Sequence, residues 1–130
     1  MNLLLDTKAL ILFDTSPSLL PARALVSIRN RKNRVFVSDM TAWEISIKFN
    51  IGKLPQAAPL FKSYLSSLQI YGFEVLRFST EHALMAGGAI TPHQDPFDRA
   101  LVAQAIIEDL TLVTNDSQLI DLPDLKTLWA

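Results

Sequence analysis

The chain has 130 residues, of which 49% are hydrophobic and 19% charged. This globular composition excludes a disordered chain and is long enough to bury a core without staples. It holds no cysteine, which excludes a disulfide framework and a thiolate metal site and fits a reducing compartment. Twelve Lys+Arg against thirteen Asp+Glu leave a formal charge of −1, so any nucleic-acid surface has to be local. The opening Met1-Asn2-Leu3-Leu4-Leu5-Asp6 lacks a basic lead and meets a charge too early for a signal peptide. No apolar run approaches the roughly 20 residues that span a bilayer. The expectation is one cytoplasmic domain over residues 1–130, away from membranes.

Asn2 to Leu5 is a short apolar run that predicts a buried strand with Asp6-Thr7 at its carboxyl end. A short helix over Lys8 to Phe13 follows, broken at Ser16-Pro17-Ser18, and Leu19 to Arg31 reads as a second helix. Arg34 to Ser38 is β-branched and aromatic, a second strand. Ser38 or Asp39 then caps a helix from Met40 to Asn50 that stops at Gly52. Ala57 to Gln69 reads as a helix with Phe61, Tyr64, Leu65 and Leu68 on one side. Phe73 to Phe78 is a third strand, Ser79 opens a helix to Ala86, and Gly87-Gly88 ends it. Leu110 to Val113 is a fourth strand. The tail from Ser117 suggests a helical turn, a Leu-Pro-Asp loop and an edge strand over Lys126 to Leu128. Strands alternating with helices predict an α/β fold, a three-layer α/β/α sandwich around a mostly parallel sheet of four to five strands.

Between the third and fourth strands lies the most informative stretch, His93 to Glu108. Asp95 can cap the first free amides of a helix, and Pro96 suits the first helical position. Asp98, Leu101, Val102 and Ala105 then fall at i, i+3, i+4 and i+7, so a carboxylate heads the apolar stripe. Complementing the helix dipole is the plain explanation for an acid in that turn. A buried charge, however, needs a partner. Parallel sheets work in the crevice outside the carboxyl ends of their strands. Asp6 and Asp116 directly follow predicted strands, and Asp98 can face the same edge. Glu44 borders the buried stripe of its helix, although a Glu44–Lys48 pair one turn apart explains it equally simply. Four carboxylates in one crevice repel each other unless a cation joins them. Oxygen ligands alone select a hard divalent ion, Mg²⁺ or Mn²⁺. Such an ion activates water and neutralises charge on a phosphoryl oxygen, which suits hydrolysis of a nucleic-acid backbone.

Four local motifs carry a resemblance. They are Leu4-Leu5-Asp6-Thr7-Lys8-Ala9-Leu10; Trp43-Glu44-Ile45-Ser46-Ile47-Lys48 with Gly52-Lys53-Leu54; Asp95-Pro96-Phe97-Asp98-Arg99-Ala100-Leu101-Val102-Ala103-Gln104-Ala105; and Thr114-Asn115-Asp116. In this order, and across essentially the whole chain, they resemble the PIN domain, and more narrowly the VapC toxins of bacterial toxin–antitoxin pairs. The third motif is the specific one. The resemblance implies that Asp6, Glu44, Asp98 and Asp116 are the metal-binding and catalytic acids of a Mg²⁺- or Mn²⁺-dependent endoribonuclease. It further implies an RNA substrate, a cognate antitoxin that holds the enzyme inactive, and a homodimer. Asp95 matches a motif acid, but its capping role suffices. Thr7 and Thr114 are placed to orient carboxylates or waters, or merely to end strands. Lys8 departs from the subfamily, which commonly has histidine there. Its ammonium can favour ionised Asp6, touch phosphate, or compete with the metal.

Other residues have plainer readings. His93 is a loop histidine whose structural role outweighs a catalytic one, and Arg99 suits either RNA phosphate or a nearby acid. Arg29, Arg31, Lys32 and Arg34 read as a solvated helix end or an RNA contact. Phe49, Leu54, Phe61, Tyr64 and Leu65 read as core, with part of the set available as an antitoxin surface. Trp129 is expected to pack on the sheet. Two further classes compete with the nuclease. One is a non-catalytic PIN module that binds RNA or a protein partner, with Lys8 marking a degraded metal site. The other, a Mg²⁺-dependent phosphatase or phospho-receiver, lacks the lysine it would want after a late strand.

Overall fold

The structure is a computed structural model that describes residues 1–88, 90–91 and 94–130. Five strands form one sheet: β1 (Asn2–Leu5), β2 (Arg34–Ser38), β3 (Glu74–Leu76), β4 (Thr111–Val113) and β5 (Lys126–Leu128). Their spatial order is β3-β2-β1-β4-β5, and every pairing is parallel. β1, at the centre, buries Leu3, Leu4 and Leu5 completely, as a strand covered on both faces must. Because side chains alternate, Leu3 and Leu5 enter one core with Val35, Val37, Val113 and Leu128, while Leu4 and Leu112 enter the other. The three layers are those the sequence predicts.

Helices cover both faces. The first core takes residues from α1 (Thr7–Thr15), α2 (Ala22–Arg29), α3 (Asp39–Asn50), α4 (Ala58–Lys62) and α5 (Tyr64–Tyr71). The second is built on α7 (Pro96–Ile107), through Leu101, Val102 and Ala105. The remaining helix, α6 (Thr80–Ala86), packs against α7. Trp129 is partly buried against the first core. Among the described residues no helix is long and apolar enough to cross a membrane.

Several elements differ from their predicted bounds, each for a local reason. The helix expected over Leu19 to Arg31 starts only at Ala22, after a 3-10 turn over Pro17–Leu19. Pro21 forces Leu20 into extended backbone (φ −76°, ψ 141°), so no helix passes through it. The helix expected over Ala57 to Gln69 is two helices. At the junction the Ser63 hydroxyl donates to the Pro59 carbonyl at 2.9 Å and competes with the helical pattern. That break leaves Leu65 exposed rather than on the buried side with Leu68. β3 stops short of Phe78, whose amide donates to Asp39 Oδ2 instead of the sheet (3.3 Å). Ser38, not Asp39, is the cap of α3, accepting from the Met40 amide at 3.0 Å. β4 begins at Thr111 because the Leu110 amide closes the end of α7 on the Ala105 carbonyl. The tail after Ser117 forms hydrogen-bonded turns before β5.

Candidate metal centre

The carboxyl ends of β1 and β4 point to one edge of the sheet, and the amino end of α7 and the middle of α3 meet them there. Asp6 directly follows β1, and its amide extends the ladder to the Val113 carbonyl at 3.1 Å. The same residue caps α1: one carboxylate oxygen accepts from the Ala9 amide at 2.7 Å. This second duty pins the side chain, and only 9% of the residue is exposed. Its pKa is raised from 3.8 to about 6, chiefly by burial and further by the charge of Glu44. The Thr114 hydroxyl, the Ala9 amide and the Lys8 ammonium pull it back toward ionisation. Favouring ionised Asp6, one of the three effects open to Lys8, is the weakest of these influences.

Glu44 sits mid-way along α3 and is buried. Thr7 Oγ1 donates to its Oε1 at 2.5 Å and lies 3.4 Å from Thr41 Oγ1. The ammonium of Lys48 pairs with Oε2. Both readings of Glu44 thus hold at once: it makes the i, i+4 pair, and it faces the cleft. In α7, Asp95 Oδ1 accepts from the Phe97 amide at 2.8 Å and the Asp98 amide at 3.2 Å. Capping falls to Asp95, which leaves the Asp98 carboxylate to line the cleft. Asp116 follows β4 in a tight turn, its amide on Thr114 Oγ1 (3.1 Å) and its Oδ1 accepting from the Gln118 amide (2.9 Å).

Together Asp6, Thr7, Lys8, Glu44, Asp98, Asn115 and Asp116 line a single cleft of about 270 Å³. The sequence-predicted acids come from both ends of the chain and are all in it. In type, these oxygen donors fit a hard divalent ion, and buried Asp6 has a charge that a cation would stabilise. Among the described residues no three acidic or imidazole side chains form a ready metal-binding group. The positive charge nearest to Glu44 is Lys48 itself.

The remaining candidates sort differently. Arg99 donates Nε to the Ala86 carbonyl (2.8 Å), Nη1 to the Thr91 carbonyl (2.9 Å), and Nη2 to the Gly88 carbonyl. It ties the loop before α7 to the helix start. His93 lies outside the described residues. The basic cluster is at the opposite end of the sheet: Arg29 and Arg31 line a pocket of about 490 Å³ with Phe13, Tyr71 and Phe73, at the amino ends of β2 and β3. Arg34 pairs with Glu74 and lies over the Phe36 ring at 4.9 Å. Phe49 stacks on Phe61 at 4.7 Å, and Leu54, Phe61 and Tyr64 pack on the first core.

Sequence reading assigns no separate role to Asn115 or to His82. The position of Asn115, between a strand end and a motif acid, was the available signal. His82 is buried and completes a capping box with Ser79, accepting on Nδ1 from the Ser79 amide at 3.0 Å. Its Nε2 lies 3.0 Å from Glu108 Oε2. A serine cap with a polar residue three positions on was the trace of that box.

Comparison with curated proteins finds no matching relative. Among solved structures the fold is similar to VapBC2 from Rickettsia felis bound to a DNA fragment from their promoter, at TM-score 0.65, 19% identity and 100% of each chain. It is also similar to FitAB bound to an IR36 DNA fragment, at TM-score 0.66 and 20% identity over 97% of this chain and 93% of that one. FitAcB from Neisseria gonorrhoeae gives TM-score 0.61 and 18% identity over 97% and 96%. The PIN domain family matches residues 3–125 of the sequence. The chain, with its parallel five-stranded sheet and the acids at its carboxyl edge, belongs to the PIN domain family.

Proposed function

We propose that this PIN domain is a metal-dependent endoribonuclease, the toxin of a toxin–antitoxin pair that acts in the cytoplasm. The observation that carries this reading is the convergence of Asp6, Glu44, Asp98 and Asp116 on one cleft. Asp6, Glu44, Asp98 and Asp116 would hold Mg²⁺ or Mn²⁺, directly or through water. A divalent ion bound there supplies Lewis-acid charge, which makes water a better nucleophile and neutralises a phosphoryl oxygen.

The chain's own groups do the positioning. Asp6 is fixed by the Ala9 amide, and Glu44 is aimed by the Thr7 hydroxyl. A preorganised carboxylate loses little freedom when a ligand arrives, which is where such hydroxyls act. Exposed Lys8, at the rim of the cleft, offers an ammonium to a non-bridging phosphate oxygen. Its charge lets an acidic site accept a polyanion.

A cognate antitoxin and a homodimer belong to the same reading. They are supported by the four motifs shared with VapC toxins and by the likeness in fold to VapBC2 and FitAB. The direct test is cleavage of RNA by purified, antitoxin-free protein with Mg²⁺. Asp98→Asn is expected to abolish it, and undiminished cleavage by that variant overturns the assignment.

A second reading is a non-catalytic PIN module that binds RNA or a protein partner. It rests on the Glu44–Lys48 pair, which engages one of the acids a metal would need. Calorimetric titration with Mn²⁺ separates the two. The nuclease binds the ion and loses affinity on Asp6→Asn; the binding module takes up none.

A further inference from the structure

Lys48 lies beside the acidic cleft, in a groove it shares with Thr7, Lys8 and Glu44. It lies one helical turn beyond Glu44 on α3, half-buried, and its ammonium bonds Glu44 Oε2. The other carboxylate oxygen of Glu44 is taken by Thr7 at 2.5 Å. Each oxygen of this acid is therefore already in use by a donor from the chain. The pair is also not an ordinary surface pair: Glu44 has only 8% of its side chain exposed, so its charge is poorly solvated and depends on a nearby cation. Burial disfavours the charge on Lys48, yet its hydrogen bond and attraction to Glu44, with the charges of Asp95 and Asp98, more than compensate. The ammonium thus feels acids from two helices, its own and α7. It also borders the groove beside α1, along with Leu12, Leu19 and Leu54, so the flexible stem has space to carry the charge out of the acid cluster.

We infer that Lys48 is the built-in counter-cation of the acidic cleft, holding Glu44 until a divalent ion displaces the ammonium, and thereby sets the metal affinity of the protein. The inference rests on the metal-dependent reading above. Lys48 is in this sense a positioning residue that acts through Glu44. Two cations competing for one carboxylate oxygen cannot both hold it, so removing the permanent one favours the other.

The experiment is calorimetric titration of Mn²⁺ into the full-length wild type, Lys48→Met, Lys48→Arg and Asp98→Asn, with a thermal melt of each to establish folding. Lys48→Met keeps the stem and removes the charge, and is expected to bind Mn²⁺ about tenfold more tightly than wild type. Lys48→Arg keeps the charge and is expected to bind close to wild type, which separates charge from packing. Equal or weaker binding by Lys48→Met, while the wild type binds and Asp98→Asn weakens binding, overturns the role of Lys48 and leaves the metal reading standing. Equal tightening in Lys48→Met and Lys48→Arg also overturns it. Uptake of Mn²⁺ by no folded variant overturns the metal reading and this inference together. An unfolded Lys48→Met leaves the decision to Lys48→Gln, read in the same way.

Discussion

The two ends of the parallel sheet use charge in opposite ways. At the carboxyl end, acids are buried or half-buried, and the chain spends backbone amides, threonine hydroxyls and a lysine to keep them there. At the amino end, Arg34 and Glu74 pair in the open, with side chains 61% and 44% exposed, and Arg29 lies over the Phe13 ring. Water solvates the second set at little cost, and such pairs contribute little to stability. The first set is held against solvation and repulsion, the arrangement on which the proposed function rests. One sheet thus separates an edge of buried acids from an edge of solvated pairs by the length of a strand, roughly 15 Å.

The comparison breaks most visibly in activity. Asp98→Asn is expected to lower RNA cleavage on the order of a hundredfold or more, since it removes an acid from the cleft and keeps its shape. Arg31→Ala, at the other end, is expected to leave the rate nearly unchanged in the same assay. A comparable loss from Arg31→Ala would move RNA recognition to the basic end and unseat the acidic cleft as the only seat of function. Next in size is Thr7→Val, which keeps the shape but not the donor to Glu44 Oε1. Loss of such an orienting hydroxyl is worth about ten- to a hundredfold in metal affinity or activity. Mn²⁺ titration reads the first directly, and an unchanged constant would reduce the hydroxyl to a packing group at the start of α1.

The gathering of the acids at the carboxyl edge was largely legible in the sequence, because strand ends are easy to see in apolar runs. Asn2 to Leu5 and Leu110 to Val113 read as buried strands, so the acids that follow them fall at the carboxyl edge. Asp98 was legible through its capping partner: once Asp95 and Pro96 fix the helix start, the phase of the next acid follows. What stayed hidden was in part local: Asp6 caps the very helix it precedes, a signal missed because that helix was expected to start at Lys8 and not at Thr7. The rest was tertiary, since no spacing reports that the charges of Asp95 and Asp98 act on Lys48. Helix breaks were hidden for another reason. Pro21 and Ser63 act through the residue beside them or through a single hydroxyl, while hydrophobic periodicity averages over several turns.

Stability gives the comparison a sharper form through Asp6. In the folded chain its pKa lies at about 6, against 3.8 ordinarily, so the folded state holds its proton more tightly than the unfolded chain does. The resulting stabilisation is complete below about pH 3.8 and is lost as pH rises through about 6, the reverse of a salt-bridged aspartate. Asp6→Asn removes the charge and retains a good helix cap. Without divalent ions, the variant is expected to gain on wild type by on the order of 2 kcal/mol between pH 4 and pH 7.5, read by denaturant unfolding. A large excess of Mn²⁺ is expected to narrow or reverse the order at pH 7.5, because wild type gains more binding energy than the variant. A gain that does not depend on pH would show that the cost at Asp6 is packing and not charge.

The smallest effect belongs at the amino end. The Arg34–Glu74 pair has good geometry, with Arg34 Nε and Nη2 on the two Glu74 oxygens at 2.9 and 2.7 Å, and it joins β2 to the edge strand β3. Glu74 is held below its usual pKa, chiefly by the hydrogen bond from Arg34, so what little the pair contributes should be present at neutral pH and fade as acid protonates Glu74. Both groups, however, are already well solvated, and the guanidinium also keeps its place over Phe36 without Glu74. Glu74→Gln is therefore expected to leave the melting temperature within the error of measurement at neutral pH, at low salt as at high. A clear, salt-dependent drop would mean that the edge strand is fastened by this pair. Charge would then matter structurally at both ends of the sheet, and burial of the acids alone could no longer set the carboxyl edge apart.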